Sequence, residues 1–355
     1  MSNLTKEILD AFLPEKEIIN VDELASGHIN DTYLVKTKEG RQYIIQRING
    51  IVFKNIPGLV RNKTLVSAHL QSKMQGKSQE LIDRSVLTFI PCRTGGYFFK
   101  DTHDGIWNGM IYIDKSQTFD IVSDAEIAYE GGKLFGEFLN LTEDFNALEL
   151  IEVIPQFHDM SFRYAQFEAS LKVASEKRLT LSMKLINRVI ELKEEMHILQ
   201  DLKEKGKIRL RVTHNDTKIS NALFDMEGKG LCVIDTDTIM PGIIHYDFGD
   251  AIRTICNTAA EDEKELDIVN FNTVFYEAYK KGFLEKMSSS ITELEKQHLP
   301  LGAKTMIFIM GLRFLTDYLN GDIYYKTNYS DHNLVRAKNQ FKLIESFEQS
   351  MGAVS

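Results

Sequence analysis

The stretch from Arg211 to Arg253 reads RVTHNDTKISNALFDMEGKGLCVIDTDTIMPGIIHYDFGDAIR. Acidic and amide side chains concentrate in it at the points where short apolar runs end. Asp216 follows a His-Asn pair, Asn221 comes five residues later, and Asp235 ends an apolar run about fourteen residues further on. A loop of this length lets the three side chains converge on one cleft, and a buried strand would hold the last of them on a rigid element.

The residue types in this stretch match the needs of phosphoryl transfer. A hydroxyl that attacks a phosphate needs a carboxylate to orient it and accept its proton, and Asp216 can serve as that base. Magnesium prefers hard oxygen ligands, which Asn221 and Asp235 supply. Asp237 either binds a second metal ion or hydrogen-bonds the loop. One aspartate at a strand end is usually a cap or turn residue, but the combined spacing indicates a catalytic site.

Two further carboxylates, Asp247 and Asp250, follow in the segment YDFGD. Either residue could contact a substrate or brace the catalytic loop. The sequence leaves both alternatives open for this pair.

The first third of the chain predicts a small sheet. The run from Val21 to Lys36 reads as two strands joined by a turn at Gly27, and Arg41–Ile48 is a further strand rich in β-branched residues. Apolar residues at helical spacing then predict a helix over Thr64–Lys77. Three more strand-like runs follow: Val86–Ile90, Gly96–Lys100 and Trp107–Ile113.

The pattern changes at the polar stretch Asp114–Asp124, after which most of the chain reads as helical. Four helical segments are predicted, together with two short strands: Asp124–Leu141, Lys177–Gly206, Asp262–Met287 and Ser290–Asn320, with strands Ala222–Asp225 and Leu231–Ile234. The prediction is therefore an α+β fold with a nucleotide-binding lobe over residues 1–113 and a catalytic and substrate-binding lobe over residues 114–355.

Composition excludes several classes of protein. A chain of 355 residues with a formal charge of −9 is a poor partner for nucleic acid or an anionic membrane surface. Three cysteines without metal-ligand spacing suggest neither a disulfide framework nor a zinc site. Charges interrupt the first residues every few positions, so no signal peptide is predicted. We expect a cytoplasmic protein.

Several blocks of sequence carry a resemblance to a known family. THNDTKISN together with VIDTDTIMPG resembles the catalytic segment of the aminoglycoside phosphotransferase and choline kinase superfamily. More narrowly, GHINDTYLV, YDFGDAIR, MGLRFLTDYLNGDIYY and HNLVR are similar to segments of the N-acetylhexosamine 1-kinase family. The blocks extend over residues 27–336, which is nearly the whole chain.

This resemblance implies a bilobal, protein kinase-like fold, with a small antiparallel sheet lobe and a larger, mainly helical lobe. It further implies that ATP and Mg²⁺ are used to phosphorylate the anomeric hydroxyl of a small-molecule sugar, N-acetylglucosamine or N-acetylgalactosamine. Carried over to this chain, Asp216 is the catalytic base, and Asn221 and Asp235 are the magnesium ligands.

The resemblance also assigns the sugar site to Arg313, Tyr324 and His28. An arginine donates in a fixed fork to sugar oxygens, and an aromatic ring packs on the apolar face of a pyranose. Without the resemblance, an Arg and a Tyr in a helical region would more often make packing or surface contacts.

The nucleotide site departs from the kinase pattern. Gln46 stands where kinases place a strand lysine that holds the α- and β-phosphates, and the following predicted helix contains no glutamate to pair with one. Gln46 could still donate an amide hydrogen bond to a phosphate. Backbone groups from Gly27 to Asn30 are further phosphate-contact candidates, and we expect adenine to lie against the backbone near Ile111 and Ile113.

Two alternatives stay open. The missing lysine and glutamate are compatible with a catalytically silent ATP-binding scaffold. The acceptor could also be choline, homoserine, a thioribose or another hexose, since several tyrosines near the end of the chain could cage a quaternary ammonium group. The sequence does not reveal the preferred sugar epimer or the oligomeric state.

Overall fold

The computed structural model describes residues 4–24 and 29–352. The smaller lobe is an antiparallel sheet with strand order β1-β2-β3-β6-β4, to whose β6 strand the short β5 also pairs. Three helices accompany this sheet. The elements of this lobe are α1 Lys6–Phe12, β1 Ile18–Leu24, β2 Asp31–Thr37, β3 Gln42–Ile48, α2 Ile56–Lys73, α3 Gln79–Ser85, β4 Phe89–Ile90, β5 Phe99–Lys100 and β6 Ile106–Ile111.

The larger lobe is mainly helical and contains two short β-ribbons, β7–β10 and β8–β9. Its elements are α4 Ala125–Leu141, α5 Met160–Val173, α6 Glu176–Glu191, α7 Lys193–Glu204, β7 Arg211–Thr213, β8 Ala222–Phe224, β9 Gly230–Val233, β10 Met240–Gly242, α8 Ile244–Ile255, α9 Thr273–Met287, α10 Glu293–Gln297, α11 Leu299–Leu319 and α12 His332–Met351. The predicted α+β fold with a small antiparallel sheet lobe and a larger helical lobe is confirmed. The predicted lobe boundary at residue 114, between β6 and α4, stays a prediction.

Helix α2 begins eight residues before the predicted start at Thr64. The Asn55 side chain accepts a hydrogen bond from the Gly58 amide at 3.0 Å and caps the helix, and Pro57 fits its first turn. Polar Asn62 and Lys63 are buried in the first half of the helix, so the apolar spacing that predicted it begins only after them. The prediction therefore located the helix but placed its start too late.

The other predictions of helices were also incomplete. The segment predicted as one helix over Lys177–Gly206 forms α6 and α7, which meet at a turn at the buried Leu192. Helices α1, α3, α5, α8 and α12 were missed. In α5 the core-facing side chains are Met160, Tyr164, Phe167 and the partly buried Leu171, which are spaced as on one face of a helix.

Helix α11 forms the centre of the helical lobe. Among the described residues it is the one helix that is long and apolar enough to cross a membrane, yet 78% of its apolar window is buried inside the protein. It packs against α5, α8 and α12. A core helix explains its composition.

Helices α4 and α9 approach each other so closely that their backbones touch. A Cβ on Gly132 would overlap the carbonyl oxygen of Tyr279, and a Cβ on Gly282 would overlap that of Tyr129. Glycine is therefore required at both crossing points for steric reasons. This contact fixes α4 beneath the ribbons that carry the candidate site.

We expect Gly132→Ala to lower the free energy of unfolding by at least about 2 kcal/mol, because the added methyl group overlaps backbone that cannot move independently. The matched control is Gly131→Ala in the same helix, whose Cβ would meet the flexible end of the Ile219 side chain. Urea unfolding of both variants measures the difference. Equal stability of the two variants would contradict the proposed backbone contact.

Candidate active site

The loop that carries Asp216 is held from below by carboxylates of α8. Asp247 accepts hydrogen bonds from the backbone amides of His214 at 2.7 Å and Asn215 at 2.8 Å. Asp250 accepts the amide of Thr217 at 2.9 Å. The structure thus shows Asp247, predicted to contact substrate or brace the loop, in a bracing position.

Burial of these carboxylates has an electrostatic cost. Desolvation raises the pKa of Asp247 to about 6, although His214 and the two amide hydrogen bonds oppose the shift. Burial also raises the pKa of Asp250, and the neighbouring Arg253 guanidinium opposes that shift. Hydrogen bonds from the loop amides offset part of this desolvation cost, so the loop and α8 stabilise each other.

Asp216 lies at the exposed edge of this loop between an amide and an ammonium group. Asn221 Nδ2 donates to Asp216 Oδ2 at 2.9 Å, and Lys218 Nζ lies 3.2 Å from the same oxygen. The Asp216 side chain keeps 32% of its surface accessible to solvent. Its second carboxylate oxygen, Oδ1, has no hydrogen bond from the described residues and can accept one from a hydroxyl group that enters the cleft.

Lys218 is a site residue that sequence analysis missed, although it stands only two positions after Asp216. Burial disfavours its ammonium charge, but the carboxylates of Asp216 and Asp235 outweigh this effect and raise the pKa of Lys218. A charged ammonium group therefore lies beside the predicted base. The signal was present in the THNDTKISN segment as a basic residue between the predicted base and a predicted metal ligand.

Asp235 follows β9 in a left-handed backbone conformation with φ at 56°. The residue is accessible to solvent, but protein atoms crowd the cleft around it. This crowding, followed by repulsion from the carboxylates of Asp237 and Asp216, raises the pKa of Asp235 well above its usual value, while Lys218 and Lys63 oppose the shift. The cleft therefore concentrates negative charge that a cation would neutralise.

The donor set fits a magnesium ion that is held mostly by phosphate oxygens and water. Among the described residues there is no group of three or more His, Cys, Asp or Glu side chains placed to bind a metal alone. Magnesium in nucleotide sites needs only one or two protein ligands. Asp235 and Asn221 provide a carboxylate and an amide, and Asn221 uses its nitrogen toward Asp216, which turns its oxygen away from that residue.

Asp237, the third predicted metal ligand, is buried and has partners for both oxygens. Lys63 Nζ lies 2.6 Å from Oδ1, and Asn30 Nδ2 donates to Oδ2 at 2.7 Å. Asn30, predicted to contact the nucleotide, thus reaches the segment after Asp235. Its own oxygen accepts the Asn49 amide at 2.9 Å.

The other predicted nucleotide contacts lie along the sheet. Gln46 donates to Thr32 Oγ1 at 3.3 Å on the neighbouring strand. Ile111 ends β6, and Ile113 is buried in the segment that follows it. Gly27 and the predicted sugar contact His28 lie outside the described residues.

The predicted sugar contacts Arg313 and Tyr324 lie together at a cavity of about 540 Å³ in the helical lobe. The Arg313 guanidinium lies over the rings of Phe157 at 5.5 Å, Tyr324 at 5.9 Å and Tyr325 at 5.5 Å. Arg163 lines the same cavity. Sequence analysis missed Phe157 and Arg163, whereas Tyr325 belongs to the tyrosines that it considered for a quaternary ammonium group.

Asp317 organises the wall that carries these tyrosines. Its carboxylate accepts the backbone amides of Ile323, Tyr324 and Tyr325 at 2.8–3.0 Å and the Asn333 side chain at 2.9 Å. The carboxylate is therefore engaged in ordering the wall. The charged residues of the described lining are Arg163, Arg313 and Asp317, of which Asp317 is held by the backbone amides of the wall.

One family model matches the part of the chain that carries the candidate site. Residues 121–278 match the family described as "Phosphotransferase enzyme family" (APH). This segment contains the catalytic loop, both α8 carboxylates and the Asp235 turn.

Solved structures share the fold over nearly the full length. A microcompartment-associated aminopropanol kinase matches with a TM-score of 0.62 and 15% identity over 94% of this chain and 93% of that chain. An aminoglycoside phosphotransferase from Alicyclobacillus acidocaldarius matches with a TM-score of 0.63 and 12% identity, over 99% and 97%. An amicoumacin kinase in complex with AMP-PNP and Ca²⁺ matches with a TM-score of 0.59 and 14% identity, over 98% and 96%.

At these identities the neighbours show the fold, which is the bilobal fold of these kinases. The family match over residues 121–278 supports the aminoglycoside phosphotransferase superfamily. The predicted superfamily resemblance is thereby supported, and the narrower resemblance to N-acetylhexosamine 1-kinases stays a prediction.

Proposed function

We propose that this protein is an ATP-dependent small-molecule kinase that transfers the γ-phosphoryl group to a hydroxyl through Asp216. The observation that carries the proposal is the solvent-accessible Asp216 carboxylate, held by Asn221 and flanked by Lys218 beside the acidic Asp235. The family match and an AMP-PNP-bound neighbour support ATP and a divalent cation as requirements.

In this mechanism Asp216 orients the acceptor hydroxyl and accepts its proton. The acceptor oxygen forms a bond to the γ-phosphorus as the bond from phosphorus to the β,γ-bridging oxygen breaks, and ADP leaves with that electron pair. Lys218 offsets negative charge next to the base. Asn221 and Asp235 would hold Mg²⁺, which would neutralise charge on the β- and γ-phosphates.

We further propose that the acceptor is an N-acetylhexosamine phosphorylated at its anomeric hydroxyl. The cavity around Arg313 supports a sugar as the acceptor. The Arg313 guanidinium can donate hydrogen bonds to sugar oxygens, and the exposed ring of Tyr324 can pack on the apolar face of a pyranose. The similarity of GHIN and GDIYY to the sugar-kinase family supports the same substrate class.

An aminoalcohol acceptor is the second candidate because one structural neighbour is an aminopropanol kinase. Its ammonium group would meet two guanidinium groups, Arg163 and Arg313, while Asp317 is engaged by backbone amides. Like charges in a partly buried cavity repel. This argument favours a neutral, oxygen-rich acceptor over choline and other amines.

The proposed setting is the cytoplasm. Cys92, Cys232 and Cys256 are all buried and free, as is usual for a protein from a reducing compartment. The proposed partner is a small molecule, and no role with nucleic acid or a membrane is proposed.

The proposed reaction predicts magnesium-dependent ADP release with N-acetylglucosamine or N-acetylgalactosamine but not with choline or aminopropanol. Phosphorus NMR of the product should show an anomeric phosphate. Glucose and galactose serve as controls for the acetamido group. Turnover of an amine alone, or phosphate at the 6-hydroxyl, would leave the kinase proposal intact but contradict the sugar 1-kinase proposal.

For the base, we expect Asp216→Asn to lower kcat by about 10²–10⁴-fold, because an amide cannot accept the hydroxyl proton. ATP affinity, measured by calorimetry, should change little. The exposed Asp120→Asn substitution is the matched control and should leave kcat unchanged. An Asp216→Asn enzyme with normal kcat would overturn the assignment of the base.

For the acceptor site, we expect Arg313→Ala to raise the acceptor KM by about 10- to 100-fold, the range of a charged hydrogen bond, while the ATP KM stays nearly constant. Arg336→Ala is the control, since Arg336 also lies over an aromatic ring but does not line the cavity. Steady-state kinetics in both substrates measures this. Equal rises in both KM values would argue against acceptor contact.

A further inference from the structure

Helix α2 of the smaller lobe is joined to the segment that follows Asp235 by a buried ion pair. Lys63 of α2 and Asp237 lie 2.6 Å apart, their side chains are 1% and 5% exposed, and 174 residues separate them in sequence. Burying two charges costs free energy that their attraction often only just offsets. We therefore expect the pair to contribute little to the free energy of folding, and its role is better sought in the groups that it positions.

Both charges have additional hydrogen-bond partners, so the network is nearly saturated. Asn30 Nδ2 donates to the second Asp237 oxygen at 2.7 Å. With its amide oxygen toward the ammonium group, Asn108 accepts from Lys63 at 2.6 Å and donates to the Gln46 carbonyl oxygen at 3.3 Å. Strand β6, helix α2 and the segment after Asp235 thus meet at one ammonium group, and β3 is linked to it through Asn108.

The network lies at the position of the missing kinase lysine. Gln46 is paired directly with Thr32 on β2 and with Asn108 on β6. Directly paired residues project to the same face of a sheet, so the Gln46 side chain shares a face with Asn108, which contacts Lys63. The ammonium group therefore lies beside the site to which a lysine at position 46 would point.

We propose that Lys63 and Asp237 form a transposed version of the kinase strand–helix ion pair. The cation comes from the helix, the strand supplies an amide at Gln46, and the carboxylate comes from the turn directly after Asp235. This proposal rests on the kinase function proposed above. It makes Asp237 a positioning residue held by Lys63, and it leaves Asp235 and Asn221 as the side chains available to a metal ion.

The arrangement has a structural consequence that the usual pair lacks. A strand lysine paired with a helix glutamate joins two elements of the same lobe, whereas Lys63 joins α2 directly to residues 236–238 of the larger lobe. Asn62, the preceding residue, reinforces the junction by donating to the carbonyl oxygens of Ile151 and Ile239. The position of α2 and that of the Asp235 turn are therefore coupled.

The first test is Lys63→Met, which keeps the length of the side chain and removes its charge. In nucleotide-free protein, hydrogen exchange should accelerate in residues 236–242 and in the first half of α2. With substrates, kcat should fall by about 10- to 100-fold, the usual effect of losing a group that orients a ligand. Lys63→Arg, which keeps the charge, should restore part of both properties.

The matched control is Lys73→Met in the same helix, where the ammonium group pairs with Asp144 at the protein surface. This variant should leave the exchange of residues 236–242 and kcat unchanged. Asp237→Asn should reproduce the exchange pattern of Lys63→Met. The double variant Lys63→Met/Asp237→Asn should be no worse than either single variant, because the two groups act as one unit.

Two outcomes would overturn the proposal. If Asp237→Asn abolished Mg²⁺-dependent ADP binding in calorimetry while Lys63→Met left it intact, Asp237 would be a metal ligand. If Lys63→Met raised only the ATP KM and left hydrogen exchange unchanged, Lys63 would contact the nucleotide itself. Hydrogen exchange and ADP binding need no acceptor, so failure of the sugar kinase assay would not affect this test.

Discussion

The rest of the site depends on the Asp247 carboxylate, which is buried beneath the catalytic loop. Its two oxygens accept the amides of His214 and Asn215, so the backbone just before Asp216 is fixed from the side of α8. Asn215 can adopt its positive φ of 65° because its side chain also donates to the carbonyl oxygens of Thr213 and Thr238. A strained loop of this kind persists only where its surroundings define every residue. The position of the proposed base is therefore a property of the helical lobe.

Charge balance explains the arrangement of the surrounding residues. Three carboxylates, Asp216, Asp235 and Asp237, lie close together, and desolvation, followed by repulsion from the other two, raises the pKa of Asp235. Two ammonium groups oppose this repulsion, one from Lys218 beside the base and one from Lys63 across the lobes. Each cation lies against one outer carboxylate, whereas Asp235 is accessible to solvent and has no ion pair among the described residues. A site of this kind attracts a divalent cation without a preformed cage of protein ligands.

The sequence predicted those parts of the site that depend on local spacing. Asn221 follows Asp216 by five residues, and the short loop between them brings the two side chains together, as expected. The role of Asp247 stayed open because its partners lie more than thirty residues away and are backbone amides, which leave no pattern in a sequence. Lys63 was missed for a related reason: its partner is 174 residues distant. Because Lys63 and its neighbour Asn62 are polar although they are buried, the apolar spacing did not reveal the start of α2.

The cavity proposed to bind the acceptor is built from different elements than the residues proposed for phosphoryl transfer. This separation bears on how kinases of this fold differ in selectivity. Asp216, Asn221 and Asp235 lie on ribbons and turns held by α8, whereas the cavity around Arg313 is formed by α5, α11 and the segment that Asp317 orders. The first set supplies chemistry that any hydroxyl acceptor could use. The second set can change in shape and charge without disturbing the base, because its supporting carboxylate makes no contact with the catalytic loop among the described hydrogen bonds. A common fold among kinases of different acceptors follows from this division, so the substrate must be inferred from the cavity and not from the fold.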